Sequence, residues 1–207
     1  MPGDKAPEAI RREQILSAAY EVAAERGLAD TTILQVALAA GLSPALVIYH
    51  FKTRRQLLLA LLERLLLTTT VLTVDSVATD KLAPVDRLIT VLRREMDRLS
   101  GEPLRIRLTF DYWIAGVRDE EVRDKLSAEF ARYREAFRPL AAAVLRDDPA
   151  RFAGVTADAL AGLSVSLIKG CAVQSMIDPE HFDIDKHLGA AAALIGQVGA
   201  PAASRTN

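Results

Sequence analysis

The chain has 207 residues, half of them hydrophobic and 26% charged, with a formal net charge of −1. That is enough apolar material for a substantial core, and too even a charge balance for a protein coated all over with nucleic acid. Cys171 is the only cysteine, which excludes an intrachain disulfide, and the polar start Met1-Pro2-Gly3-Asp4-Lys5 lacks the apolar core of a signal peptide, so a cytoplasmic setting is expected.

Strand signals are nearly absent, while helical periodicity recurs between Pro and Gly breaks, so the fold is expected to be all-α. The first helix should run from about Glu8 to Arg26, with Ile15, Ala19 and Val22 on one stripe and Gly27 after its end. Thr31 or Thr32 can cap a short helix through Ala40. Gly41-Leu42 makes a tight turn, and Ser43 caps the next helix, with Pro44 at its first position. Two short helices joined by a Gly-containing turn match the helix-turn-helix plan over about 32–51, with Val36, Leu42 and Val47 as its small core. A long helix begins at Thr53, carrying Leu57/Leu61/Leu65 and Leu58/Leu62/Leu66 as adjacent stripes. Its apolar run, Leu57 to Leu67, contains Glu63 and Arg64, so a buried helix is expected rather than a membrane span.

After a looser stretch near Asp75–Ala83, Pro84 and Pro103 open two further helices, and Gly101 ends the first. The Pro103–Val117 helix has Ile106, Phe110, Trp113 and Val117 on one side and Leu104, Leu108 and Ala115 on the other, which places it in the middle of a bundle. Asp111 falls in the second stripe. It is read either as paired with Arg107 or as facing a cationic ligand beside Phe110, Tyr112 and Trp113. Val122, Leu126, Phe130, Tyr133, Phe137, Leu140 and Val144 hold the period of a long helix that Pro139 should kink and Asp147-Asp148-Pro149 should close. Two more helices follow, about Thr156–Ile177 and Asp185–Val198, and the tail Gly199–Asn207 is expected to fray. Small or apolar faces on both, with Gly162, Ser166 and Gly170 on one and Leu188, Ala192 and Ile195 on the other, would let a partner backbone come close.

The stretch Ser43 to Arg55 combines a helix start, the Tyr49-His50 pair and three cations, and no acid occurs between Asp30 and Glu63. Through Arg55 seven cations meet six acids, so position rather than total marks this as the surface a polyanion can approach. Phe51 is read as core, Arg11 and Arg12 as a solvated face, Cys171 as a small buried residue and Trp113 as core that also lines a pocket. His50, His181 and His187 lack metal-ligand spacing, and there is no nucleophile elbow, zinc-protease helix or phosphate loop. No metal site, cofactor or catalytic residue is expected. A helical small-molecule-binding enzyme, or a dimeric interaction module without DNA binding, leaves the acid-free stretch unexplained.

The motifs Ile15-Leu16-x-Ala18-Ala19, Gly27, Thr31-Thr32, Ala37-x-x-Ala40-Gly41-Leu42-Ser43, Tyr49-His50-Phe51 and Arg54-x-x-Leu57 together closely resemble the head of TetR-family transcriptional regulators. The body, with Trp113 in a central helix, resembles the choline-responsive, BetI-like branch. The resemblance implies a three-helix DNA-binding head (9–69), joined by a long helix to a larger ligand-binding and dimerisation body (70–199). It gives about nine helices in all, with tails at 1–7 and 200–207. It implies a ligand-responsive repressor, double-stranded operator DNA and a second copy of the chain as partners, and a small-molecule effector. By the same resemblance Ser43 caps the recognition helix, Pro44, Ala45 and Leu46 form its groove-facing start, and Tyr49 and His50 touch phosphate or base edges. Arg54 would hold a phosphate and Thr32 would offer a hydroxyl and a helix N-terminus; Lys52 adds charge on general grounds. Pro44-Ala45-Leu46 cannot make the bidentate bonds that read purines. Thymine methyls, help from Gln35, phosphates and DNA shape are therefore expected to carry recognition. The candidate effector pocket comprises Phe110, Asp111, Trp113, Phe137, Cys171 and Gln174. The last two helices supply the dimer face, with Gly162, Ser166, Gly170, Leu188, Ala192 and Ile195 as candidates.

Overall fold

The computed structural model describes residues 7–68 and 81–197. The expected loose stretch from Asp75 to Asp80, the helix end at Val198 and both tails, except Pro7, lie outside them. Among the described residues there are nine helices and no strand: α1 (Glu8–Arg26), α2 (Ile33–Ala40), α3 (Pro44–Phe51), α4 (Arg54–Thr68), α5 (Pro84–Ser100), α6 (Pro103–Gly116), α7 (Glu120–Asp147), α8 (Ala157–Ile177) and α9 (Ile184–Gln197). Local chemistry sets most of these bounds. Prolines open α3 and α5 at a position where a missing N–H loses no helical bond, and Thr156 caps α8 by accepting the Ala159 N–H. Glu120 and Glu121 begin α7 and Arg146 stands in its last turn, which suits the helix dipole. Pro139 sits within α7, which continues through it as one element.

The chain forms two compact units. The first, Met1–Thr70 with Leu104–Ser127, therefore contains α6 and the start of α7 as well as the four N-terminal helices. Its core joins Ile15, Ala19 and Val22 of α1 to Val36 and Ala37 of α2, Val47 and Phe51 of α3, and Leu57, Leu61 and Leu65 of α4. Leu108 and Tyr112 of α6 and Val122 and Leu126 of α7 complete it. The expectation that α6 is covered on both sides holds only in part: Ile106 of one stripe and Leu108 of the other are buried, with Tyr112 and Gly116, whereas Leu104, Ile114 and Val117 are exposed. An apolar period identifies a face but not whether the opposite face is also covered.

The second unit, Val71–Pro103 with Ala128–Asn207, packs α5 against α8 and α9. Leu88, Leu92 and Met96 of α5, Tyr133, Phe137 and Val144 of α7, Ile168 and Cys171 of α8, and Leu188 of α9 are all buried. By length and composition α8 could cross a bilayer, yet Leu160, Ala161, Val165, Ile168 and Cys171 are core residues of this unit.

Candidate nucleic-acid interface

The α2–α3 hairpin is shaped by its caps. Thr32 and Gln35 form a capping box, in which Thr32 Oγ1 accepts the Gln35 N–H at 3.2 Å and Gln35 Oε1 accepts the Thr32 N–H at 2.9 Å. Gly41 ends α2 in the left-handed region at φ +65°, where a side chain would strain the backbone, and the Leu42 N–H returns to Ala37 O at 2.9 Å. Ser43 Oγ accepts the Leu46 N–H at 3.2 Å and starts α3. The two helices meet at 109°, as a helix-turn-helix requires.

This geometry presents the start of α3. Val47 and Phe51 point into the core, while Pro44, Ala45, Ile48 and Tyr49 are exposed and Leu46 is half-buried. Tyr49 is 66% exposed, its ring covered on one side by the Lys52 ammonium 5.2 Å away, and Lys52 Nζ donates to Tyr49 O at 2.9 Å. His50 meets Tyr49 edge-on at 5.2 Å; its Nδ1 is buried without a hydrogen-bond partner. The exposed tip is apolar and uncharged, with polar groups behind it.

The cations of this stretch are less available than their order along the chain suggests. Arg54 donates from Nε to Thr31 O and from Nη2 to Leu28 O and Ala29 O, strapping the α1–α2 turn to the start of α4. Only Nη1 remains for a phosphate. Arg55 pairs with Glu121 at 2.6 Å and Asp119 at 3.1 Å, so the acid-free stretch is not acid-free in space. Asp119 also caps α7, and the Val122 N–H, with Arg55 adding, holds its carboxyl below the usual carboxylate range. Arg12 is not a solvated residue: it stacks over Phe51 at 4.4 Å and donates to His50 O at 2.7 Å, tying α1 to the end of α3. Gln14 does the same for α2 through Ala40 O at 2.8 Å. Neither tie has a local sequence signal, because the partners are 38 and 26 residues away.

The residues expected to bind an effector divide between the units. Phe110 and Trp113 form an edge-on pair at 4.8 Å in the first unit. Asp111 is not paired with Arg107. It turns instead toward α1, accepts the Leu28 N–H at 3.1 Å and lines a cavity of about 720 Å³. Gly27, at φ +85°, keeps that approach open, since a Cβ there would stand 3.3 Å from the carboxylate. In the second unit Phe137 and Cys171 are buried, Gln174 is exposed, and burial pushes the Cys171 thiol up to about 11.

Sequence reasoning missed the charged cluster of that unit. Buried Glu95 accepts from Tyr133 Oη at 2.7 Å and from Arg98. The Lys169 ammonium lies 4.3 Å from the Tyr133 ring centre and 3.5 Å from Glu129 Oε1, while Glu129 Oε2 is buried without a hydrogen-bond partner. Desolvation holds the Lys169 pKa below its usual value.

On α8, Ser166 is exposed and Gly162 and Gly170 are half-buried with open space beside them. Leu188 and Ile195 need correcting as candidate dimer contacts, because both are buried in their own protomer. Gly189, Ala190, Ala193 and Leu194 form the exposed side of α9, with Ala192 between. Among the described residues no His, Cys, Asp or Glu cluster could hold a metal ion.

Comparison with known proteins agrees with this arrangement. Residues 15–61 match the bacterial regulatory proteins of the tetR family, and residues 73–199 match the BetI-type transcriptional repressor C-terminal family. An HTH-type transcriptional regulator BetI from Stenotrophomonas maltophilia (strain R551-3) is 32% identical over 122 residues, which span 57% of this chain and only 60% of that relative. A regulator of the same name from Cronobacter sakazakii is 26% identical over 182 residues, covering 85% of this chain and 84% of the relative. A solved transcriptional regulator from Saccharomonospora viridis, in complex with choline, superposes with a TM-score of 0.72 at 19% identity, over 91% of this chain and 97% of its own. At that identity the likeness is one of fold.

Proposed function

The chain belongs to the TetR family of transcriptional regulators, with a body of the BetI type, and from that premise we propose that it is a repressor released from its operator by a small-molecule effector. The family is one of regulators, which sets the enzyme reading aside. The observation that carries the proposal is the exposed, carboxylate-free start of α3, capped by Ser43 and set at 109° to α2. Its apolar tip suits thymine methyls, and Tyr49, Lys52 and the capped N-termini of α2 and α3 suit phosphates.

A second copy of the chain completes the reading. Leu163, Ile177 and Leu194 are exposed beside the small residues of α8 and α9, and such faces bury well against their own two-fold mate. A two-fold dimer sets its recognition helices about 34–36 Å apart, so the operator is a near-palindrome. The effector binds in the helical body and favours a dimer of different head spacing, with a coupling of about 1–3 kcal/mol. Choline is the ligand of the S. viridis protein; in this chain the aromatic and acidic cluster already holds an ammonium of its own, Lys169. A quaternary ammonium entering that cluster must displace it, so apolar metabolites are tested beside amines.

The test is a footprint on DNA flanking the chain's own gene, repeated with candidate amines and apolar metabolites. Protection of a near-palindrome, relieved by one compound class, is the expected outcome. No protected site at low salt would count against operator binding.

A further inference from the structure

The 720 Å³ cavity lies wholly within the first unit and falls in the range of small-molecule sites, about 300–1,000 Å³. Its walls are the turn from Gly27 to Ala29 that leads into α2, the beginning of α4 that leaves α3, and one side of α6. Leu58, Leu59, Tyr112 and Val122 make its apolar part, and four arginines and two aspartates face it. Four positive charges against two negative leave the wall net positive, and several of these groups are already held in place. Arg54 holds backbone carbonyls, Arg55 is matched by Asp119 and Glu121, and Asp111 accepts the Leu28 N–H. Arg26 and Arg107 are exposed and make no hydrogen bond or ion pair among the described residues. An apolar cleft carrying two uncommitted guanidinium groups is complementary to one chemical class, because a planar carboxylate fits a guanidinium fork and an apolar body fits the wall.

We propose that this cavity is a second ligand site, separate from the effector site of the helical body, and that it takes a small amphipathic anion. Arg107 and Arg26 hold its carboxylate, and Leu58, Leu59 and Val122 cover its apolar part. The occupant touches both approaches to the helix-turn-helix, the turn before α2 and the residues after α3, so the head senses it directly. Binding stands by itself; only its consequence for operator affinity rests on the function proposed above.

Calorimetric titration of the full chain without DNA, using octanoate, octylammonium and octanol as probes, tests the site. Octanoate should bind once per chain and octylammonium should not bind. Arg107→Ala and Arg26→Ala should each weaken octanoate by roughly tenfold, the loss of one charge-assisted hydrogen bond, without moving the thermal midpoint. Ala115→Phe, which puts a ring into the cavity beside the apolar wall, should weaken binding strongly, and Arg107→Glu gives the same reading should that variant not fold. Equal binding of octanoate and octylammonium, no binding of octanoate, or octanoate binding untouched by the arginine variants would overturn the site. Octanoate should also weaken binding of a flanking-DNA duplex by wild type more than by Arg107→Ala. An intact octanoate site in a chain that binds no DNA would count against the operator reading alone.

Discussion

The two units use their charged side chains in opposite ways. In the first, three arginines at or near the surface are tied to backbone or to acids on the surface: Arg54 to three carbonyls, Arg12 to His50 O, Arg55 to Asp119 and Glu121. In the second, Glu95, Glu129 and Lys169 are drawn inside among Tyr133 and Phe130. An exposed ion pair such as that of Arg55 sets geometry and adds little to stability, whereas an inward charge is stable only while its partner is present. The head can therefore lose DNA binding without unfolding, and the body cannot lose a member of its cluster so lightly.

Breaking the buried side of that contrast should have the largest effect. Lys169→Met leaves Glu129 inside without its cation and should destabilise the protein by about 3–5 kcal/mol in urea denaturation. The double variant Glu129→Leu with Lys169→Met should recover most of that loss; a neutral single variant would show that the cluster is hydrated. Next is Arg54→Ala, which frees the α1–α2 turn. It should lower stability by about 1–3 kcal/mol and weaken DNA binding together, because Arg54 acts mainly as a strap. Ser43→Ala removes one cap bond and should lower stability by about 1 kcal/mol in the same denaturation measurement, with DNA affinity falling as α3 frays.

The smallest effect sharpens the surface side of the comparison and depends on pH. The folded-state pKa of Asp119 is depressed, chiefly by the Val122 N–H. Its contribution is fully present above the unfolded carboxylate pKa and is lost as pH falls through the lower folded value. The difference in thermal midpoint between wild type and Asp119→Asn should thus persist at neutral pH and close only in acid.

Much of the head was legible because its signals are local. Thr32 and Ser43 are cap residues, Gly41 is the left-handed stop, and Pro44 sits at a helix start, as Pro84 and Pro103 do further along the chain. What stayed hidden was long-range. Arg55 finds its acids 64 and 66 residues later, and Asp111 finds its backbone donor 83 residues earlier. Leu188 and Ile195 show the same limit in α9: their spacing marks an apolar face, and burial in their own unit, not pattern, decides that it faces inward. Lys169 was missed because an isolated lysine in an apolar helix carries no signal of the tyrosine and glutamate that receive it.

The most direct test of the account is the salt dependence of binding to a near-palindromic duplex from the flanking DNA, by fluorescence anisotropy, for wild type and Lys52→Ala. The account predicts a steep linear fall of log affinity with log salt, and a slope smaller by about one in the variant, with its folding unchanged. A flat salt dependence, or a slope that Lys52→Ala leaves untouched, would contradict a DNA-facing α3.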